Sequence, residues 1–222
     1  VVSGISYLSY LLKRYVFRES GVLVSGIIGG LYSSTATISV LARKSRNAHS
    51  QEASEYVAAM LLAVSMMFLR FMILILIFSS TIFTSIYPYL LIMAAVAAVV
   101  AWFIHTRRKR TPDADLVEEE DDSSNPLEFK VALIFAGLFV IFTVLTHYTL
   151  IYAGTGGLNL LSFVSGFSDI TPFILNLLQG TGSVAATVVM ACTMQAIISN
   201  IVVNMCYALF FSGKQSKLRS WI

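Results

Sequence analysis

The chain has 222 residues, of which 57% are hydrophobic and only 12% are charged, and its net charge is +3. With a mean hydropathy of +0.78, this composition excludes a water-soluble globular domain and predicts an integral membrane protein. The ten-residue apolar alternation of a membrane barrel is absent, so the predicted fold class is all-α.

Seven apolar segments are predicted to form a polytopic helical membrane protein. The first, at 1–12, is short and begins abruptly at Val1, which suggests a piece of a longer protein. The other six are each long enough for the roughly 20 residues that cross a bilayer as a helix. They lie at 21–42, 56–80, 86–104, 131–153, 158–178 and 184–212.

One short motif occurs in two of these segments. It reads Gly-Gly-Leu-Tyr-Ser-Ser-Thr-Ala-Thr at 29–37 and, in altered form, Ser-Gly-Phe-Ser-Asp-Ile-Thr-Pro at 165–172. An alignment of Gly30 with Gly166 also places Ser33 against Asp169. We therefore predict two related halves, a first membrane repeat with its connecting helix at 1–105 and a second repeat at 131–222.

Each copy of the motif is predicted to interrupt its helix. Pro172 removes a helical hydrogen bond and clashes with the preceding turn. In both copies glycines coincide with small polar residues, and such a break leaves backbone groups free to contact an ion or polar solute. The residues expected to form the breaks are Gly29, Gly30, Gly166 and Pro172.

The charged residues leave two topologies open. Most acidic residues fall between Asp113 and Glu128, after the basic run at 107–110, so 106–130 reads as a charged cytoplasmic linker. If every segment crosses fully, the basic clusters at 13–18 and 214–219 lie opposite those at 43–46 and 107–110, against the positive-inside preference. If 21–42 and 158–178 are instead re-entrant, all basic loops lie on one side, and the halves form an inverted repeat.

Two charged residues lie within the apolar segments. Arg70 is central in 56–80, and Asp169 lies beside the second motif. A guanidinium at that depth costs a few kcal/mol or more, and intramembrane charge usually marks a functional site. We expect Arg70 and Asp169 to approach each other or to share an aqueous cavity; the simpler alternative is a buried ion pair that only fixes the packing.

Other polar residues are predicted to join the same ion or solute pathway. Each of them alone is also explained by hydrogen bonding between helices or to its own helix backbone. Asn200 and Asn204 are one helical turn apart and share a face. The full predicted pathway comprises Arg70, Asp169, Ser33, Ser34, Thr35, Thr37, Thr171, Asn200 and Asn204.

The chain resembles a prokaryotic integral membrane domain of unknown function that is often found C-terminal to an MgtC/SapB domain. The matching stretches are the motif at 29–37, Ser-Val-Leu-Ala-Arg-Lys-Ser-Arg at 39–46, Val-Val-Ser-Gly-Ile-Ser-Tyr at 1–7 and Met-Phe-Leu-Arg at 67–70. The resemblance implies an N-terminal MgtC/SapB-like domain as a partner and hints at ion homeostasis. Thr171 replaces an expected acid and Asn204 an expected lysine, which puts shared ion chemistry at the second copy in doubt.

The function expected from these features is that of a membrane transporter or channel for an ion or small polar solute. The alternative is a membrane-embedded binding or regulatory module. We expect no enzyme, because a second buried acid and a recognisable Ser/His spacing are lacking, and we expect no cofactor, metal site or nucleic-acid partner. The predicted location is the inner (plasma) membrane, and Gly-x-x-x-Gly spacing at Gly26 and Gly30 favours a homodimer.

Overall fold

The structure is a computed structural model that describes residues 21–46, 48, 50–107, 129–167, 169–180 and 184–212. All regular structure in these ranges is helical, which confirms the predicted all-α class there. The helices are α1 (Val22–Lys44), α2 (Ser50–Phe78), α3 (Ser80–Thr106), α4 (Phe129–Ser165), α5 (Ile170–Gln179) and α6 (Ala186–Phe211). The segment predicted at 1–12, and most of the linker predicted at 106–130, lie outside the described residues.

Of the helices in the described ranges, five, all except α5, are long and apolar enough to cross a membrane. α5 has 10 residues, about 15 Å at the helical rise of 1.5 Å per residue, or roughly half the hydrocarbon core. The chain is therefore a membrane-embedded, multi-pass helical protein. Length and apolarity alone do not show that a helix crosses the membrane in one straight piece. α1 and α4 each contain an internal interruption.

The chain divides into two compact units that are not continuous in sequence. The first unit comprises Val1–Phe71, Tyr89–Pro126 and Asn204–Ile222, and the second comprises Met72–Pro88 and Leu127–Val203. Among the described residues, the first unit contains α1, most of α2 and α3, and the last turns of α6. The second contains the end of α2, the start of α3, all of α4 and α5, and the rest of α6.

The core of the first unit lies where the second part of α1 packs on the first turns of α2. Ile38, Leu41 and Ala42 of α1 are buried against Tyr56 and its neighbours on α2. Ile104 near the end of α3 and Tyr207, Ala208 and Phe211 near the end of α6 pack against the same cluster. A hydrogen bond of 3.2 Å between the buried hydroxyls of Ser45 and Ser212 joins the ends of α1 and α6. The C-terminal ends of α1, α3 and α6 therefore meet at one end of this unit.

α2 and α3 form an antiparallel pair with a minimal connection. Ser79 is the only residue between them outside the helices, and its amide still donates to the carbonyl of Ile75. Further along the pair, within the first unit, the Ser65 hydroxyl donates to the carbonyl of Ala94 at 2.9 Å. The predicted segments at 56–80 and 86–104 correspond to these two helices.

α4 covers the predicted segment at 131–153 and the first part of the predicted segment at 158–178. Its 37 residues contain one non-helical residue, Gly154, with φ 58° and ψ −150°. A positive φ of this kind suits glycine, which has no Cβ to clash with the backbone. The predicted segment at 131–153 thus ends at Gly154, whereas the segment predicted at 158–178 is split between the last turns of α4 and α5.

Candidate functional site

The first motif copy interrupts α1 at Ser33. This residue has extended backbone angles, φ −155° and ψ 106°, between helical residues on both sides. Its Oγ accepts a hydrogen bond from the Ala36 amide at 3.4 Å, and its carbonyl accepts one from the Thr37 hydroxyl at 2.8 Å. Ser33 therefore acts as the N-cap of a new helix at 34–44, a role that its short hydroxyl side chain favours. We call Ser33 the first break.

At the first break the chain turns back on itself. A Cβ added to Gly29 would lie 3.2 Å from the Cβ of Thr37. In a straight helix the Cα atoms of two residues so far apart in sequence are separated by about 12 Å. The parts at 22–32 and 34–44 therefore form a helical hairpin, the first hairpin, and the missing side chain of Gly29 provides the space for this approach.

Contacts with α2 give the direction of the first part of the hairpin. Gly26 lies against the backbone of Ala59, and Gly30 lies so close to Ala63 that an added Cβ would be 2.5 Å from its Cα. Further along, Tyr32 receives a hydrogen bond from Arg70 of α2. Contacts further along α1 are thus made with residues further along α2, so the part at 22–32 runs parallel to α2. The part at 34–44 then returns to the start of α2.

Arg70 lies at the tip of the first hairpin. Its guanidinium Nη1 donates to the Tyr32 carbonyl at 2.7 Å, directly before the break, and its Cζ lies 5.2 Å from the centre of the Phe71 ring. The side chain is only 9% exposed. Because the helix at 22–32 ends there, the carbonyl of Tyr32 lacks an amide partner in its own helix, and the guanidinium supplies a charged donor.

The second motif copy separates α4 from α5 at residues 166–169, which we call the second break. Asp169 is extended, with φ −74° and ψ 111°, and its Oδ1 accepts a hydrogen bond from the Thr171 amide at 3.0 Å. It is therefore the N-cap of α5. Pro172 occupies the third position of α5, in the first turn, where a missing amide hydrogen removes no helical bond. The Asp169 side chain is exposed, whereas Thr171 is buried.

Contacts between α4 and α6 repeat the arrangement seen beside the first break. The thiol of Cys192 donates to Oδ1 of Asn159 at 3.3 Å, and the Ser199 hydroxyl donates to the Phe163 carbonyl at 2.7 Å. At the break, Nδ2 of Asn200 donates to the Gly166 carbonyl at 3.1 Å. Successive residues of α4 contact successive residues of α6 in the same order, so the part at 155–165 runs parallel to α6.

After the second break α5 has to return toward the start of α6. Gly166 lies beside Ser199 and Asn200, roughly 20 Å along α6 from Ala186. If α5 continued in the direction of 155–165, its end would lie roughly 35 Å from the level of Ala186. The chain between Gln179 and Ala186 can span at most about 25 Å, so α5 cannot continue in that direction. Residues 155–165 and 170–179 therefore form the second hairpin.

Corresponding residues of the two motif copies occupy corresponding positions at the two breaks. The interval from Gly30 to Gly166 equals the interval from Ser33 to Asp169, and both of the latter residues are extended N-caps. The same interval separates Ala63 from Ser199, the residues against which the two glycines pack. Ala63 and Ser199 were not predicted as site residues, because the spacing alone does not distinguish them from other residues and only the packing of the two glycines identifies them.

The remaining predicted pathway residues are distributed between the two units. Ser34 is buried at the start of the helix at 34–44, and Thr35 accepts a hydrogen bond through its carbonyl from the Ser39 hydroxyl. Asn200 is buried in the second unit, and Asn204, one turn later, is buried in the first. Arg70 belongs to the first unit and Asp169 to the second, so their approach to each other stays a prediction.

The small-residue face of α1 is occupied within the chain. Gly26 and Gly30 are buried against α2, where an added Cβ would meet the backbone of Ala59 or Ala63. The Gly-x-x-x-Gly spacing from which a homodimer was expected is thus used for an intramolecular helix contact. In the described ranges, no group of three or more His, Cys, Asp or Glu side chains is placed to hold a metal ion.

Comparisons with known proteins identify a family and one distant relative. Residues 1–212 match the family described as Domain of unknown function (DUF4010). An uncharacterized protein of Aquifex aeolicus (strain VF5) is 26% identical over 208 residues, which cover 91% of this chain and 87% of that protein. No solved structure matches.

Proposed function

We propose that this chain, which belongs to the DUF4010 family, is a membrane transporter or channel for an ion or small polar solute. The observation that carries the proposal is the pair of helical hairpins, each of which has a capped helix break at its tip within an apolar stretch of the sequence. Non-helical backbone at membrane depth is tolerated only where it is buried in protein or lines a water-filled cavity. Many transporters place their central site at paired breaks of this kind.

We further propose that the hairpins are re-entrant and enter the membrane from opposite faces. The distribution of basic residues supports this topology, because with both hairpins re-entrant the basic clusters at 13–18, 43–46, 107–110 and 214–219 lie on one side of the membrane. This topology makes the halves an inverted repeat and places the basic stretches after α1, α3 and α6 on the cytoplasmic side of the inner membrane.

The charges at the breaks favour an anionic or proton-coupled solute. Arg70 brings a permanent positive charge to the first break, where the cap is the neutral Ser33. At the second break the cap is Asp169, whose carboxylate already faces the positive end of α5. A multivalent cation is expected to require more carboxylates than this single one.

The alternative, a membrane-embedded binding or regulatory module, has no comparable support. A lipid-exposed face at Gly26 and Gly30 would favour it, but both residues are buried against α2. We retain one element of it, an MgtC/SapB-like domain as a partner of the transporter. Catalysis is not part of the proposal.

Cysteine labelling tests the re-entrant topology. In a Cys192→Ser, Cys206→Ser background, single cysteines at Gly21, Arg46, Thr155 and Ala185 probe the four hairpin ends, which are all exposed. With an impermeant thiol reagent in oriented vesicles, Gly21→Cys and Arg46→Cys are expected to react from one side, and Thr155→Cys and Ala185→Cys from the other. Reaction of Gly21→Cys and Arg46→Cys from opposite sides would mean that α1 crosses fully, and would end the re-entrant proposal.

Two substitutions of Asp169 separate its charge from its capping role. Asparagine is a good N-cap, so Asp169→Asn is expected to retain the thermal stability of the purified protein, whereas Asp169→Ala loses about 0.5–2 kcal/mol. If the carboxylate serves transport, both variants lose flux in proteoliposomes. Full flux in Asp169→Asn together with reduced stability in Asp169→Ala would restrict Asp169 to a structural role.

A further inference from the structure

Basic residues collect at the end of the first unit where α1, α3 and α6 terminate. Arg43 and Lys44 lie in the last turn of α1, Arg46 follows it, and Arg107 follows α3. The Ser45–Ser212 hydrogen bond and the packing of Ile104 against the core cluster that contains Leu41 and Ala42 bring these three ends together. We call Arg43, Lys44, Arg46 and Arg107 the basic rim.

Two guanidinium groups of the rim rest on aromatic rings at the apolar boundary. The Cζ of Arg43 lies 4.7 Å from the centre of the Phe211 ring, and the Cζ of Arg107 lies 4.0 Å from that of Phe103. Phe211 also stacks on Tyr207, with ring centres 5.9 Å apart. Cation–π contacts of this kind hold a charge at the edge of an apolar surface while leaving the nitrogen donors available to anions.

Further basic residues follow the described ends of α3 and α6 in the sequence, namely Arg108, Lys109 and Arg110 after Arg107 and Lys214 after Ser212. The rim is also near two acids, Glu52 and Glu55, in the first turns of α2. The connections at 79–89, 153–158 and 179–185, by contrast, carry no charged residue.

We propose that the basic rim binds the headgroups of anionic phospholipids in the leaflet that it faces. Clustered Lys and Arg side chains at the ends of transmembrane helices attract anionic lipids, with about fivefold in affinity for each basic residue. Exposed apolar side chains of the same unit, such as Val40 and Phe103, lie beside the rim, where acyl chains extend from bound headgroups. A lipid is therefore the occupant that matches both the charge of the rim and the apolar surface next to it.

The test compares lipid preference in reconstituted protein. Spin-labelled phosphatidylglycerol and phosphatidylcholine are each added to the full chain in phosphatidylcholine membranes, and the motionally restricted fraction is measured by electron paramagnetic resonance. We expect the wild type to prefer phosphatidylglycerol at least about fivefold, and expect a clearly smaller preference in an Arg43→Gln, Arg46→Gln, Arg107→Gln variant, in which Lys44 remains. As a matched control, Phe103→Leu retains all charges and is expected to retain most of the preference.

Three outcomes would overturn the proposal. The first is a wild type without preference, and the second is a triple variant, equally folded by circular dichroism, that keeps the full preference. The third is loss of the preference when a few millimolar inorganic phosphate is added at constant ionic strength, since the rim would then be a site for free anions.

Discussion

Replacement of Arg70 with glutamine is expected to abolish solute-driven current while the protein still inserts into the membrane. The guanidinium of Arg70 places a positive charge at the first break and donates a hydrogen bond to the carbonyl of Tyr32. Glutamine removes this charge from a site that is 9% exposed, where it is weakly screened by water. If the solute is anionic, we expect the current to fall at least about tenfold, because the solute loses a charge-assisted hydrogen bond to Arg70 that is worth about 1.5–3 kcal/mol.

The measurement is current on a solid-supported membrane after rapid addition of a panel of solutes to proteoliposomes. The panel includes chloride, phosphate, sulfate, acetate and succinate, and neutral sugars serve as blanks. Arg70→Lys is the matched control, since it keeps the charge but loses the planar donor pair, and it is expected to retain part of the current. Undiminished current in Arg70→Gln, at equal insertion, would remove Arg70 from the pathway.

A double variant tests whether Arg70 and Asp169 are paired. If each side chain stabilises the other, the loss of thermal stability in Arg70→Ala, Asp169→Ala is expected to be smaller than the sum of the two single losses. The reason is that each single change leaves one charge without its partner, whereas the double change removes both. Additive losses would show that the two residues act independently, and this result is compatible with transport.

The second large effect is expected at the glycines that pack against neighbouring helices. Gly30→Val places a side chain where an added Cβ already lies 2.5 Å from Cα and 2.6 Å from the carbonyl oxygen of Ala63. Because these are backbone atoms of another helix, the hairpin and α2 have to separate. Overpacking costs typically about 1–3 kcal/mol and occasionally more, so we expect a clear fall in melting temperature and loss of flux.

Gly166→Val is expected to act in the same way in the second unit, because an added Cβ would lie 2.8 Å from the Asn200 amide nitrogen as well as against Ser199. The matched control is Gly137→Val in α4, where no atom lies within 4 Å of an added Cβ. Melting in detergent, followed by tryptophan fluorescence or aggregation, measures all three. A normal melting temperature for Gly30→Val would mean that the first hairpin does not pack on α2 as described.

The sequence predicted an interruption in each motif copy, but it assigned the breaks to Gly29, Gly30, Gly166 and Pro172. Gly29 and Gly30 are helical, Pro172 lies in the first turn of α5, and the non-helical residues that start the new helices are Ser33 and Asp169. Ser33 and Asp169 are good N-caps, and the glycines beside them are poor helix formers, so residues close in sequence contain most of the information. The alignment of the two motif copies even paired the correct capping residues. The membrane character followed from composition in the same direct way.

The direction of the chain after each break could not be obtained from local sequence. It depends on the close approach of Gly30 to Ala63 and of Gly166 to Ser199, residues distant in sequence. Ala63 belongs to a long apolar segment in which a small residue that faces lipid and one that faces a helix look alike. For the same reason Gly26 and Gly30 suggested a contact with a second copy rather than with α2.

The single residue between α2 and α3 has a consequence for how the protein is made. Ser79 and its flanking residues form no loop that a translocation channel could hold in water while the second helix emerges from the ribosome. We therefore expect the pair from Ser50 to Thr106 to enter the lipid as one helical hairpin, once most of α3 has been synthesised. The absence of charge at 79–89 keeps the cost of carrying this turn across the bilayer low. On this expectation α2 and α3 are synthesised one after the other but inserted together.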